Sequence, residues 1–167
     1  MILLGLGSNL SSSKFGTPVE ILTQALAEMR LAGVEVAACS PWYRSAPVPT
    51  SDQPWFINGV ARVETALAPS ALLALLHRIE ARLGRRRGVR WAARIIDLDL
   101  LAYGDLVMPG DSERELVLPH PRASERAFVV LPLNDVAPDW RHPVSGKNAA
   151  ELWAELDQGQ QIERLVP

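Results

Sequence analysis

The chain has 167 residues, 48% of them hydrophobic and 22% charged, which fits one globular domain with a single core. The formal net charge of −2 argues against a protein whose whole surface binds nucleic acid, because such domains are usually basic. The single cysteine excludes an internal disulfide framework, and the apolar start at residues 1–6 is too short for a signal sequence or a membrane span. We therefore expect a soluble, cytoplasmic protein that contacts no membrane.

The first half of the chain predicts two strands, one helix and a proline-rich loop. Residues 2–6 predict a buried strand that ends at the turn-forming residues Gly7-Ser8-Asn9. Thr17-Pro18-Val19-Glu20 is a capping box with proline at the first helical position, so a helix begins there and ends near Gly33. Alternating side chains predict a second strand from residue 34 to about residue 43. Residues 44–54 contain three prolines and predict a loop of the kind that is often functional.

The second half of the chain predicts further strands and three helices. A strand at 56–65 precedes a helix that opens at Pro69 and ends at Gly84, and an arginine-rich loop at 85–90 leads to a strand at 95–103. Gly104-Asp105 has the form of a two-residue hairpin turn before a short strand at 106–108. Short helices at 124–133 and 151–156 and a final strand at 162–166 complete the chain. This order predicts one α+β domain over 1–167, with a mostly antiparallel sheet covered by helices.

Two aspartates stand two residues apart in an apolar run, Asp97-Leu98-Asp99-Leu100. On a strand, period-2 geometry puts both carboxylates on one face, where like charges are unfavourable unless a proton, a cation or a basic group intervenes. Seven of the 17 basic residues fall between Arg78 and Arg94, next to this pair. The pattern indicates a site for a divalent metal and a polyphosphate. The alternative is an edge strand whose solvent-facing side happens to be acidic.

Other motifs narrow the chemistry. The chain has no G-x-x-x-x-G-K-[ST] sequence, so a P-loop nucleotide site is excluded. Phosphoryl transfer would then need Mg²⁺ on Asp97 and Asp99, with arginines to neutralise phosphate charge. The candidate arginines are Arg85, Arg87 and Arg94.

Five other residues have both a functional and an ordinary interpretation. His120 lies between two prolines, outside regular structure, where it could bond a phosphate. Phe56 and Phe128 are either core aromatics or rings that stack on a flat heterocycle. The polar pair on the second predicted helix, His77 and Glu80, is either solvated or part of a site.

Taken together, these segments resemble the 6-hydroxymethyl-7,8-dihydropterin pyrophosphokinase (HPPK) family, and the match holds its order and spacing over most of the chain. Its most specific motif is Arg-x-x-Asp-Leu-Asp-Leu-Leu with a preceding tryptophan, at Arg94 to Leu101 and Trp91. The other matching segments are Gly7-Ser8-Asn9-Leu10, Tyr43-Arg44-Ser45-Ala46-Pro47, Asp52-Gln53-Pro54-Trp55-Phe56-Ile57-Asn58, Arg78-Ile79-Glu80, Pro119-His120-Pro121 and Arg126-Ala127-Phe128.

The resemblance implies a ferredoxin-like, three-layer α/β/α fold and transfer of pyrophosphate from ATP to a pterin alcohol, with two Mg²⁺ ions at Asp97 and Asp99. It implies catalytic roles for Asp97, Asp99, Arg85, Arg87 and Arg94. It implies ATP contacts for His77, Glu80, Arg85, Arg87, Trp91, Arg94, His120 and Arg126. It implies pterin contacts for Gly7, Ser45, Ala46, Val48, Phe56, Asn58 and Phe128.

Two other classes of function remain possible from the residues. A metal-dependent nuclease or nucleotide hydrolase could also use paired aspartates and arginines. A non-catalytic module could bind nucleic acid through its arginine loop, although the net acidity argues against it. We expect ATP and 6-hydroxymethyl-7,8-dihydropterin as the partners, no nucleic acid, and a monomer.

Overall fold

The structure is a computed structural model that describes residues 1–86, 93–110 and 116–166. Within these ranges the chain forms six strands, four α-helices and one 3-10 turn, Ala123–Glu125. The strands are β1 Ile2–Ser8, β2 Glu35–Cys39, β3 Tyr43–Ser45, β4 Phe56–Glu64, β5 Asp97–Tyr103 and β6 Ile162–Arg164. The helices are α1 Pro18–Leu31, α2 Pro69–Arg82, α3 Ala127–Val136 and α4 Ala149–Glu155.

All described strands belong to one antiparallel sheet with the order β5-β1-β4-β3-β6, and β2 pairs with the other half of β4. The order β5-β1-β4-β2, with α1 following β1 and α2 following β4, is the ferredoxin-like arrangement. Because β1 runs antiparallel to both of its neighbours, its carboxyl end meets the starts of β4 and β5. This corner of the sheet holds the candidate site.

The helices form two layers, one on each face of the sheet. On one face α1 and α2 bury Leu22 and Leu76 against Leu4 and Leu98 in the larger core. On the other face, α3 and α4 cover a smaller core that includes Leu3 and Leu101. The predicted α+β, three-layer α/β/α architecture is therefore confirmed. None of the helices in the described ranges has the length and apolar character needed to cross a membrane.

The capping box predicted for α1 is present. The Thr17 side chain accepts a hydrogen bond from the backbone N–H of Glu20, and the Glu20 carboxylate accepts one from the backbone N–H of Thr17 at 2.7 Å. Two of the orphan donors at the helix start are satisfied in this way. A second capping box, between Asn148 and Glu151, starts α4 at Ala149, two residues before the predicted helix.

The single strand predicted for residues 34–43 is wrong, because the structure divides this segment into β2 and β3. Pro41 has no N–H to donate, so it interrupts the ladder between the two strands. At this bend the ring of Trp42 lies over Gly59 of β4 so closely that a Cβ atom there would be 2.7 Å from Trp42 Cζ3. The predicted loop accordingly begins after Ser45 rather than at Arg44.

The hairpin predicted after β5 is also wrong. Gly104 does make a turn, but Met108 pairs with Leu118 instead of returning along β5. The outer edge of β5 is already in use, since the backbone N–H of His120 donates to the carbonyl of Leu101 at 2.8 Å. This bond fixes the backbone of His120 against β5, next to the candidate site.

Candidate active site

A cavity of about 300 Å³ opens at the corner where β1 ends and β4 and β5 begin, on the side covered by α3. A pocket of this size is in the range of small-molecule sites. Twelve of the residues proposed from the sequence line it: Gly7, Ser45, Ala46, Val48, Phe56, Asn58, Arg94, Asp97, Asp99, His120, Arg126 and Phe128.

The acidic pair occupies the floor of the cavity. Asp97 and Asp99 both line it, while Leu98 and Leu100 are buried in the core on the opposite face of β5. Asp99 is half-buried in the wall of the cavity. This burial, and then the charge of Asp97, raise the pKa of Asp99 to about 7.

The pair fits a divalent cation. Two carboxylates facing the same cavity are unfavourable when both are charged, and a hard cation such as Mg²⁺ relieves the repulsion and prefers oxygen ligands. In the described part of the chain, no cluster of three or more His, Cys, Asp or Glu side chains could bind a metal. Water and substrate oxygens could complete the coordination of such a cation.

Two arginines hold Asp97 from opposite oxygens. Arg85 donates to Oδ1 at 3.0 Å, and Arg94 lies 3.0 Å from Oδ2. Arg85 also pairs with Glu80 of α2, a residue that is 3% exposed and whose carboxylate accepts a bond from the backbone N–H of Leu98 at 2.7 Å. Burial raises the pKa of Glu80. These contacts join α2 to the start of β5 and fix Arg85 beside the acidic pair.

His120 and Arg126 lie on the wall of the cavity. Burial, followed by the charge of Arg126, lowers the pKa of His120 to about 4, so its imidazole is neutral near pH 7. Its Nδ1 accepts a bond from the backbone N–H of Arg122 at 3.2 Å, which leaves the proton on Nε2. Nε2 can then donate to an anionic oxygen. Burial lowers the pKa of Arg126, and the charge of Asp99 opposes that shift.

The aromatic residues lie on two different elements. Phe56 opens β4, and Phe128 is in the first turn of α3, with the Arg126 guanidinium 5.4 Å from the centre of its ring. Asn58, which is 4% exposed, donates from its side-chain amide to Ser45 Oγ at 2.7 Å. A Cβ atom at Gly7 would be 3.1 Å from Asn58 Oδ1, so glycine leaves room beside that amide. Apolar rings and hydrogen-bonding edges therefore share one cavity, which suits a flat heterocycle.

Some of the proposed residues lie elsewhere. His77 is exposed on α2, and Glu80 lies beneath β5; neither lines the cavity. Arg85 reaches the site through its contact with Asp97. Arg87 and Trp91 lie outside the described residues, so their roles remain predictions.

Sequence reasoning gave no separate role to Asn9, a residue that joins two parts of the site. Its Oδ1 accepts a bond from the backbone N–H of Arg94 at 2.8 Å, and its Nδ2 donates to Pro54 O at 3.0 Å and to Gln53 Oε1 at 3.2 Å. The signal in the sequence was the Gly-Ser-Asn turn after β1, which marks a position but reveals nothing of these distant partners.

Fold and site together define an α+β domain of the class that gathers paired carboxylates, guanidinium groups and aromatic rings at one corner of an antiparallel sheet. Residues 3–138 match the family model of 7,8-dihydro-6-hydroxymethylpterin-pyrophosphokinase (HPPK). The chain belongs to this family.

Individual relatives agree with the family assignment. Over 165 residues the chain is 44% identical to a 2-amino-4-hydroxy-6-hydroxymethyldihydropteridine pyrophosphokinase of Pseudomonas aeruginosa, covering 98% of this chain and 96% of the relative. The protein of the same name from Synechocystis sp. is 41% identical over 92% of this chain and 75% of its own length. A crystal structure of a Plasmodium falciparum HPPK-DHPS triple mutant has a TM-score of 0.72 at 16% identity, covering 92% of this chain and 44% of that chain. This last likeness shows that the fold is shared.

Proposed function

We propose that this protein transfers pyrophosphate from ATP to the hydroxymethyl group of 6-hydroxymethyl-7,8-dihydropterin and releases AMP, as a step of folate biosynthesis. The observation that carries the proposal is that the acidic pair and the two aromatic rings line the same cavity. One part of that cavity suits a metal-bound polyphosphate, and the other suits a flat ring. Family membership supports the same reaction.

The pterin would lie between Phe56 and Phe128, since stacking on two faces fixes the plane of a flat ring. The polar edge of the pterin would form side-chain and backbone hydrogen bonds with Asn58, Gly7 and the segment at 45–48. The Ser45 hydroxyl already orients the Asn58 amide. In this position the hydroxymethyl group would point toward the acidic pair.

The polyphosphate would be held by cations on both sides of the acidic pair. Two Mg²⁺ ions on Asp97 and Asp99 would supply positive charge to the phosphate oxygens. Arg94 and Arg126 line the cavity, so they can neutralise the remaining charge, and His120 Nε2 can donate one hydrogen bond. Arg85 and Arg87 would act beside them, His77 and Trp91 would complete the nucleotide site, and Glu80 would serve that site through its contact with Arg85.

The reaction then needs an in-line displacement. The pterin hydroxyl oxygen forms a bond to the β-phosphorus, the bond from that phosphorus to the oxygen of the α-phosphate breaks, and AMP leaves with that oxygen. The hydroxyl proton is released to solvent. Because positioning and charge stabilisation are enough for this chemistry, no covalent nucleophile is required.

We also propose that the working form is a monomer. We also place the enzyme in the cytoplasm, where ATP is plentiful and an unpaired cysteine is ordinary.

The test is to measure AMP released from ATP and Mg²⁺ with and without 6-hydroxymethyl-7,8-dihydropterin. We expect AMP formation to depend on the pterin, and Asp97→Asn to lower the rate by orders of magnitude. The matched control is Asp105→Asn, which changes an exposed carboxylate in the turn after β5. Equal AMP formation without pterin would replace the proposal with a nucleotide hydrolase.

A further inference from the structure

Of the two aromatic rings of the cavity, Phe56 belongs to strand β4 and Phe128 to helix α3, which covers the sheet. Phe56 pairs with Ser45 across β4 and β3, and Ser45 pairs with Ile162 across β3 and β6. The chain just before β6 then reaches α3, the helix that carries Phe128. Residues 160–162 thus connect the two sides of the gap between the rings of Phe56 and Phe128.

Gln160 makes the contact with α3. Its Oε1 accepts a bond from the backbone N–H of Ala127 at 2.9 Å, and its Nε2 donates to the carbonyl of Glu125 at 2.9 Å. These two backbone groups lie on either side of Arg126. The amide therefore spans the residue that carries the guanidinium group on the cavity wall.

The same contact replaces a missing helix cap. Arg126 is the N-cap residue of α3 and forms no side-chain capping bond. The first N–H groups of a helix have no partner within the helix, so an acceptor from elsewhere in the chain orders that turn. Gln160 supplies it from 33 residues away, and Phe128 lies in the turn that it orders.

The neighbouring residue makes the contact on the other side. The carbonyl of Gln161 accepts a bond from the backbone N–H of Ala46 at 3.1 Å. Ala46 lines the cavity directly after β3. Two successive residues, Gln160 and Gln161, therefore hold opposite walls of one cavity.

We propose that residues 160–162 form a brace that sets the width of the gap between Phe56 and Phe128, and that Gln160 is a positioning residue for Arg126 and Phe128. The pterin as occupant of the gap rests on the proposed function, whereas the brace rests on the contacts alone. An amide suits the task because it offers a donor and an acceptor at once. A carboxylate at position 160 keeps the acceptor but repels the Glu125 carbonyl.

The experiment compares Gln160→Ala and Gln160→Glu with Gln158→Ala, a control in the same exposed segment whose side chain bonds only the nearby Leu156 carbonyl among the contacts described. Amide hydrogen exchange at Ala127 and NMR shifts of Phe128 report the brace without any ligand. We expect exchange at Ala127 to rise about tenfold in Gln160→Ala, the factor that corresponds to losing roughly one hydrogen bond. The Phe128 resonances should shift in Gln160→Ala and stay unchanged in the control.

Kinetics then separate positioning from stability. We expect KM for the pterin to rise about tenfold in Gln160→Ala, with kcat reduced less than KM is raised. A merely structural role would lower thermal stability and the active fraction while leaving KM unchanged. Gln160→Glu should fall between Gln160→Ala and the wild type, because it keeps the bond to Ala127.

The outcomes distinguish the two proposals. Unchanged exchange at Ala127 and unchanged Phe128 shifts in Gln160→Ala overturn the brace. Changed exchange and shifts with an unaltered KM overturn the positioning role of Gln160. If the wild type neither binds the pterin nor forms AMP while the NMR effects appear, the proposed function fails and the brace stands.

Discussion

The two aspartates of the cavity have different neighbours. Asp97 has an arginine at each of its carboxylate oxygens, whereas burial and the charge of Asp97 raise the pKa of Asp99 to about 7. The two aspartates therefore have different electrostatic surroundings before any ligand binds. A cation on the pair would compete with the proton on Asp99, so metal binding should strengthen as the pH rises through about 7.

The raised pKa of Asp99 makes stability depend on pH. Between about pH 4 and 7 the folded state keeps a proton that the unfolded state has lost, so a rising pH destabilises the fold over this window. We expect Asp99→Asn to raise the free energy of unfolding at pH 8 without metal by at least about 1 kcal/mol, and to lower activity by orders of magnitude. Urea unfolding at pH 5 and pH 8 measures the first effect. A variant with wild-type pH dependence would contradict it, and Asp105→Asn is the control.

The pKa of His120 is shifted in the other direction, below its ordinary value. Its pKa of about 4 means that the folded state binds fewer protons than the unfolded state between about pH 4 and 6.5, so acidification through this range destabilises the protein. We expect NMR titration of the imidazole to give a midpoint near 4, with the neutral Nε2–H form at pH 7. A midpoint near 6.5 would show that burial and Arg126 do not lower the pKa of His120.

At the scale of elements, the acidic pair depends on the contact between α2 and β5. Glu80 accepts a bond from the Leu98 backbone and pairs with Arg85, and Arg85 in turn holds Asp97. The sequence predicted α2 from its apolar spacing and β5 from its apolar run, and both were confirmed. It could not predict the buried Glu80, because on a helix considered alone a glutamate is usually solvated.

Removing the Glu80 carboxylate tests this contact. We expect Glu80→Ala to lower the free energy of unfolding by about 3 kcal/mol, since it leaves the Leu98 N–H without its partner and removes one of the two carboxylates that Arg85 contacts. Activity should fall as well, because Arg85 then has only Asp97 to hold it beside the acidic pair. The control is Glu28→Ala, which breaks the surface pair with Arg82 and should cost less than about 1 kcal/mol. Chemical denaturation compares the two variants, and equal losses would count against the role of Glu80.

The two wrong element predictions have different physical causes. Local alternation predicted one strand where Pro41 and the close approach of Trp42 to Gly59 make two. A turn-forming dipeptide predicted a hairpin where Met108 pairs with Leu118 instead. Pro41 was visible in the sequence and marks the break, whereas the contacts of Trp42 with Gly59 and of Met108 with Leu118 join separate segments, which periodicity does not report.

For the whole molecule, the site is assembled by topology. Chain segments near residues 7, 45, 56, 97 and 128 meet because β1 lies between β4 and β5 and α3 covers that corner. The side-chain types of the motif residues predicted their roles from the sequence. Asp97 suits a metal ion, Phe56 suits stacking on a flat ring, and Asn58 suits hydrogen bonding. The residues that position them, Asn9 and Gln160, were missed because their partners lie 33 to 85 residues away.

The last prediction concerns Asn9. Its side chain connects the end of β1 to the backbone of Arg94 and to the loop before β4. It is 3% exposed, so removing it leaves the Arg94 N–H and the Pro54 carbonyl without their partner. We expect Asn9→Ala to lower the free energy of unfolding by about 2 kcal/mol and to raise KM for both substrates, because both sides of the cavity lose the same anchor. Steady-state kinetics with each substrate varied in turn, beside Asn134→Ala on the exposed side of α3, measure the effect. A rise in KM for only one substrate would show that Asn9 serves a single wall of the cavity.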